Sequence, residues 1–237
     1  MSRIRTSVCM AAYNGEDYIS EQIHSILKQL NSFDELLISD DGSTDNTLNI
    51  IYSIQDVRLK ILKGPSLGVV KNFEFLIGNA RGDYIFLTDQ DDVWLQNRLL
   101  IALNLLQNFD LVVCDAVIID GKNSFISKSF YEIRNSGAGF LKNLYVNSYL
   151  GCCMAFRKNV ISYILPFPSS IPMHDWWIGL CVQAFGSVNF VNHSLVAYRR
   201  HENNLSTAAF RSKSSFTTKL YWRFLLVYEM VKLAIKK

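Results

Sequence analysis

A mostly parallel sheet covered by helices is the fold class that this sequence predicts, and three observations predict it. The first half alternates short apolar runs with longer segments of helical period, the pattern of successive βα units. Acidic and glycine-bearing turns follow several of the apolar runs, as expected where strands hand over to loops. The chain has 237 residues, 49% of them hydrophobic and 19% charged, enough for one large core and incompatible with global disorder.

Taken in order, Thr6 to Ala12 reads as a strand, and Tyr18 to Gln29 as a helix with Ile19, Ile23, Ile26, Leu27 and Leu30 on one face. Glu35 to Ser39 is a second strand. Ser43, Thr44 and Asp45 are helix-start residue types ahead of a helix carrying Leu48, Ile51 and Tyr52. Leu59 to Leu62 is a third strand, stopped by Gly64-Pro65, and Val69 to Ala80 a helix. Arg81-Gly82-Asp83 turns into the strand Tyr84 to Leu87. Leu95 to Asn108 is helical, and Leu111 to Ile119 returns as a strand. Residues 120–140, rich in Ser, Asn, Gly and Lys, read as a long loop. Beyond it come a strand (Leu150 to Phe156), a short helix, the loop Pro166 to Pro172, a helix bearing Trp176 and Trp177, and a last strand near Leu195 to Tyr198. From Ser214 the chain reads as a terminal helix.

Composition excludes several classes of function. A net charge of +3 does not argue for nucleic acid. Cys9, Cys114, Cys152, Cys153 and Cys181 form no CxxC pair and sit in apolar runs, where reduced cysteines pack as small hydrophobes. With no signal-peptide pattern and no apolar run of membrane-spanning length, the protein reads as cytoplasmic. Dinucleotide and P-loop enzymes would need glycine fingerprints that are absent.

In open α/β sheets, ligands bind beyond the carboxyl ends of the strands. Asp40-Asp41 closes the second strand, and Asp89, Asp91 and Asp92 close the fourth. Neither segment contains a Lys or Arg, so converging carboxylates would repel unless a divalent cation or a hydrogen-bonding ligand relieved them. Asp89 and Asp91, one residue apart in extended chain, point to the same side and can share a hard cation with phosphate oxygens. The same residues are also ordinary turn and helix-cap chemistry, and Asp45 is read as a helix-start residue.

The stretches MAAYNGEDYISEQIHSIL, ISDDGSTDNT, GDYIFLTDQDDVW, MHDWW and YRRHENN, in that order, resemble the family 2 glycosyltransferases of the GT-A, nucleotide-diphospho-sugar transferase fold. The resemblance covers residues 6 to about 204, and its DQDDVW and HDWW forms are most similar to bacterial O-antigen and capsule enzymes, rhamnosyltransferase-like members included. It implies a nucleotide-sugar site of Ala12, Tyr13, Asn14, Asp40, Asp89 and Gln90, in which Asp40 reads the pyrimidine. Asp91 is implied as the direct ligand of Mn²⁺ or Mg²⁺, with Asp89 and His201 as further candidates, and Asp175 as the general base. Trp176 and Trp177, beside that base, either offer an apolar face to an acceptor sugar or pack in the core. Arg199 and Arg200 around His201 suit a diphosphate; a solvated loop is the alternative for that segment.

What the resemblance implies is an inverting, metal-dependent transfer of one sugar from a UDP- or dTDP-sugar to a glycan acceptor on a polyprenyl diphosphate lipid. The absence of a QxxRW motif argues for single addition over processive synthesis. The expected organisation is a transferase domain over 1–212, with a nucleotide-binding half to about 119 and an acceptor-binding half from 120. An amphipathic basic helix over 213–237 would follow. That helix, with Lys219, Arg223, Lys232, Lys236 and Lys237 against Glu229, either lies in the inner-membrane interface or packs on the domain or a second subunit. Rival readings are a Mg²⁺-dependent phosphotransferase or phosphatase and a non-catalytic glycan-binding subunit. The first would need an acid after the first strand, where the chain has Ala11-Ala12-Tyr13-Asn14.

Overall fold

The structure, a computed structural model, describes residues 5–202 and 215–236. Four strands, β1 (Thr6–Ala12), β2 (Glu35–Asp40), β3 (Leu59–Lys63) and β4 (Tyr84–Asp89), pair in parallel in the order β3-β2-β1-β4. Three helices connect them: α1 (Ile19–Leu27), α2 (Thr47–Ser53) and α3 (Val69–Asn79). Strand periodicity divides the core between the two faces. Val8, Met10, Ile38 and Phe86 meet Ile19, Ile23 and Ile26 of α1 on one side. Cys9, Leu37, Ile85 and Leu87 meet Phe73, Leu76 and Ile77 of α3 on the other.

Past β4 the sheet becomes mixed. β8 (Met154–Arg157) runs antiparallel to both β4 and β6 (Leu111–Asp120), and β9 (Val188–Arg200) runs parallel to β6. A two-residue strand, β5 (Val93–Trp94), closes that edge against β9. This pairing explains why the helix expected from Leu95 begins later, as α4 (Arg98–Leu105), after Asn97 in the left-handed region at φ 65°. The last strand is longer than expected because α8 (His174–Phe185) ends at Gly186, and Val188 onward joins β6 across two register shifts. Leu150 to Phe156 is a strand only from Met154, since Gly151–Cys153 forms a 3₁₀ turn.

The segment 120–140 is not a structureless loop. It contains β7 (Phe125–Ser127), antiparallel to β6, and α5 (Phe130–Arg134), and reaches the start of α6 (Phe140–Tyr145). Buried Asp115 organises it, accepting hydrogen bonds from Tyr131 N (2.9 Å), Ala116 N (2.8 Å) and the Ser129 hydroxyl (2.5 Å). Ser129 in turn caps α5 by accepting from Glu132 N. A short helix, α7 (Ile161–Ile164), precedes α8.

All five cysteines are free and buried. The final helix, α9 (Phe216–Lys236), lays Leu226 and Met230 into the core with Trp222 and Leu233 beside them, so one face packs on the domain. Its opposite face leaves Phe216, Leu220, Phe224, Val231 and Ile235 exposed. No described helix is long and apolar enough to cross a membrane.

Candidate active site

Parallel register brings the acidic strand ends together. Ala12 of β1 stands beside Asp40 of β2, and Ala11 beside Asp89 of β4, so all three strands stop at one level of the sheet. The loops that follow are tied to one another. Asn14, at φ 48°, donates from its N–H to Ser43 Oγ and accepts from Thr44 N at 2.8 Å. Gly15 N–H donates to Thr47 Oγ1, and Asp45 accepts from Thr47 N at the entry to α2. Asp40 folds back on its own turn, accepting from the N–H groups of Gly42 (3.1 Å) and Ser43 (3.0 Å) and from the Ser43 hydroxyl. That turn requires Gly42, whose φ of 103° disfavours any side chain.

Gln90 serves as a latch. Its amide accepts from Tyr13 N at 2.9 Å and donates to Tyr13 O at 2.8 Å, joining the loop after β1 to the end of β4. A Cβ on Gly15 would stand 2.3 Å from that amide, so the latch requires glycine there. Tyr13 itself is 54% exposed, free to lie against a ligand, whereas Ala12 is buried.

Asp91 Oδ2 lies 2.8 Å from His201 Nε2, each side chain 16% exposed. Tyr18 packs on the His201 ring at 4.9 Å between centroids. Asp89 has its carboxyl raised to about 7, first by burial and then by the charges of Asp91 and Asp175. A divalent cation suits this donor set, since it would relieve the repulsion and oxygen and imidazole ligands are both available to it. A second grouping, Asp89, Asp92 and Cys152, brings ligand atoms within 4.8 Å of one another. It suits such a cation less well: a thiol is a soft ligand, and burial shifts both the Cys152 thiol and the Asp92 carboxyl upward, toward their protonated forms.

Asp175 opens α8 and is 7% exposed. Its Oδ1 accepts from Trp176 N (2.5 Å) and from Asn147 Nδ2 (3.3 Å), and burial raises its carboxyl to about 6. The two tryptophans beside it correct an expectation. They are 7% and 2% exposed, and their indole N–H groups donate to the carbonyls of Asn143 and Ile164 inside the core. These rings pack; neither presents a face to an acceptor. His174 is likewise a core residue, stacked on Phe73 at 4.1 Å and kept neutral by burial, which lowers it to about 3. His193 is exposed.

Arg199 also corrects the reading that it awaits a diphosphate. Only 1% exposed, it donates through Nε to Asp91 O (2.7 Å), through Nη1 to Asn123 Oδ1 (2.6 Å) and through Nη2 to Glu21 Oε2 (2.8 Å). Its main-chain N–H donates to buried Asp92. The guanidinium thus bolts the acidic turn after β4 to α1 and β9. Arg199→Ala is expected to cost about 3 kcal/mol in urea unfolding, because a buried side chain is truncated and its charge-assisted hydrogen bonds to three segments are lost at once. Arg199→Lys should recover only part of it. Asn203 and Asn204, from the motif that follows, lie outside the described residues.

Two more positioning residues emerge from the fold. Gln22, fully buried on α1, donates to Thr88 Oγ1 (2.6 Å) and Asp89 O (3.0 Å). A glutamine on the apolar face of that helix is a signal that sequence alone could have offered. Asn147, which holds Asp175, carries no such signal.

A sheet whose carboxyl edge gathers these acids opposite a buried aspartate defines a glycosyltransferase of the GT-A type. The chain belongs to glycosyl transferase family 2, whose family model matches residues 7–165. It is 27% identical over 210 residues to the UDP-Glc:alpha-D-GlcNAc-diphosphoundecaprenol beta-1,3-glucosyltransferase WfgD of Escherichia coli, covering 86% of this chain and 81% of that one. It is 29% identical over 223 residues to the dTDP-rhamnosyl transferase RfbG of Shigella flexneri, covering 87% and 76%. Among solved structures it is similar to S. aureus TarS 1-349 in complex with UDP, with a TM-score of 0.71 at 17% identity, covering 96% of this chain and 65% of that one.

Proposed function

We propose that the protein is an inverting transferase that moves one sugar from a UDP- or dTDP-sugar to a hydroxyl of a lipid-linked glycan acceptor in surface polysaccharide synthesis. The observation that carries this reading is electrostatic: Asp175, raised to about 6, lies near enough to help raise Asp89. That proximity supports a proton acceptor beside the acids of the donor side. Residues up to about 119 would bind the nucleotide and those from 120 to 212 the acceptor.

The exposed ring of Tyr13 and the Asn14 loop would lie against base and ribose. Asp40 keeps acceptor capacity beyond its turn, which a pyrimidine N–H would meet. Asp175 takes the proton of the attacking hydroxyl; the new C–O bond forms on the face opposite the diphosphate, the bond to the diphosphate breaks, and configuration inverts. Asp91 and His201, with Asp89, would hold Mn²⁺ or Mg²⁺. When bound, the cation supplies Lewis-acid stabilisation of the leaving diphosphate. A screen of nucleotide sugars for donor hydrolysis with Mn²⁺ tests the reading, and a UDP- or dTDP-sugar is expected to turn over. Glycan binding with no turnover of any donor would favour a non-catalytic subunit.

The outer face of α9 supports peripheral contact with the inner membrane. Leu220 is 57% and Phe224 66% exposed, with Lys219, Arg223 and Lys232 on the same helix. Each basic side chain at an anionic surface contributes about 1 kcal/mol. Vesicles containing anionic lipid should sediment the full chain at low salt and release it at high salt. Leu220→Glu with Phe224→Glu should abolish binding without lowering thermal stability. A wild-type chain that stays in the supernatant would assign this face to another contact.

A further inference from the structure

Asn147 touches two groups at once. Its side chain donates to Asp175, while its main-chain carbonyl accepts from Arg134 Nη2 at 3.0 Å. Arg134 sits at the end of α5, half-buried, and its Nε is buried with no hydrogen-bond partner. The neighbouring acid, Glu132, is engaged by Lys128 at 3.0 Å. Burial lowers the Arg134 guanidinium below its usual range, the signature of a cation that lacks compensating charge. Two more cations approach the same segment. A Cβ on Gly137 would stand 3.2 Å from Lys142 Nζ, so that ammonium lies over the turn following α5. Arg223 of α9 donates through Nε to Tyr145 O at 3.1 Å, and its guanidinium lies over the Tyr145 ring. Among the described residues, no carboxylate pairs with Arg134, Lys142 or Arg223.

Three cations with no carboxylate partner among the described residues, beside the residue that orients the base, fit an anionic substituent on the molecule that the base deprotonates. We propose that Arg134, assisted by Lys142 and Arg223, binds a phosphate or diphosphate group carried by the acceptor, an assignment that rests on the transferase reading above. Asn147 separates guanidinium from carboxylate by a single residue. The planar guanidinium gives one Nη2 hydrogen bond to Asn147 O and keeps further Nη donors that suit phosphate oxygens. Arg223 links this site to α9, so a lipid chain leaving the phosphate would run toward the exposed apolar face of that helix.

Calorimetric titration of the full chain in EDTA, which suppresses diphosphate binding at the donor acids, tests the assignment with three probes. These are decyl diphosphate, decyl glucoside and inorganic pyrophosphate. Decyl diphosphate is expected to bind, and Arg134→Gln to weaken it about tenfold or more, the loss of a charge-assisted contact. Lys142→Gln, at an exposed side chain whose loss leaves the fold intact, should weaken it severalfold. Lys28→Gln, at the distant end of α1, should change nothing. Pyrophosphate binding with the same Arg134 dependence identifies the phosphate group itself as the ligand; binding of decyl diphosphate alone identifies the lipid-borne form. Equal affinity of wild type and Arg134→Gln for decyl diphosphate, or equal affinity of wild type for decyl glucoside, overturns the proposal. Donor hydrolysis with Mn²⁺ by the wild type is a separate readout and is expected to be present. Its absence from the wild type would sink the transferase reading, while the titration still decides the anion site.

Discussion

Asp175→Asn is expected to lower sugar transfer by about 10²–10⁴-fold while leaving donor affinity unchanged, because a general base acts on the acceptor proton and need not touch the donor. The substitution preserves shape and the Oδ1 that accepts from Trp176 and Asn147, so lost transfer would report lost basicity. The wild-type pH profile gives an independent reading. With its carboxyl raised to about 6, Asp175 is protonated and inactive below that pH. The transfer rate should therefore fall about tenfold per pH unit below 6 and level off above it, and the asparagine variant should lose this dependence. The sign for stability is opposite. A carboxyl with a raised folded-state value favours the folded chain when protonated, so this contribution is present at low pH and lost as pH rises through about 6. Asp175→Asn should accordingly raise the melting temperature at pH 8, by removing a buried charge worth up to about 3 kcal/mol. A variant that kept most of its transfer activity would make Asp175 a structural acid.

Removal of Asp91 is the second large effect. Nucleoside diphosphate binding by the wild type is expected to require Mn²⁺ or Mg²⁺, and Asp91→Ala should abolish the response to metal. Even a residue one shell from a cation typically changes its affinity by about 10–100-fold, so loss of a direct ligand should exceed that range. His201→Ala should fall between, since the Asp91–His201 pair at 2.8 Å shares the load. Calorimetry of UDP and dTDP with Mn²⁺ and with EDTA measures both. Equal nucleotide affinity in EDTA, or an intact Mn²⁺ response in Asp91→Ala, would remove the cation from the donor site.

Much of the candidate site is legible from local pattern. The period-2 run of β1 and the acids after β2 and β4 announce a parallel sheet with a charged carboxyl edge, and register then places Asp40 and Asp89 on either side of Ala11-Ala12. The same local signals mislead where one residue has two uses. Trp176 and Trp177 look like sugar platforms because aromatic rings serve that purpose, but α8 is buried on both sides and turns them inward. Arg199 looks like a phosphate ligand until β9 carries it beneath the acidic turn. Residues 120–140 look polar and open, yet one buried carboxylate, Asp115, gathers them into a strand and a helix.

The sequence by itself determined the sheet's parallel half, the identity of its acidic edge and the family, because these depend on side-chain period and on motifs read within about twenty residues. Tertiary structure decided which polar groups act on ligands and which hold the frame. Gln90 reaches Tyr13 across 77 positions, Arg199 reaches Glu21 across 178, and Asp175 acquires its raised carboxyl only where the core excludes water, against the opposing hydrogen bond from Asn147. Burial and long-range pairing set those roles, and neither is encoded in the spacing of neighbouring residues.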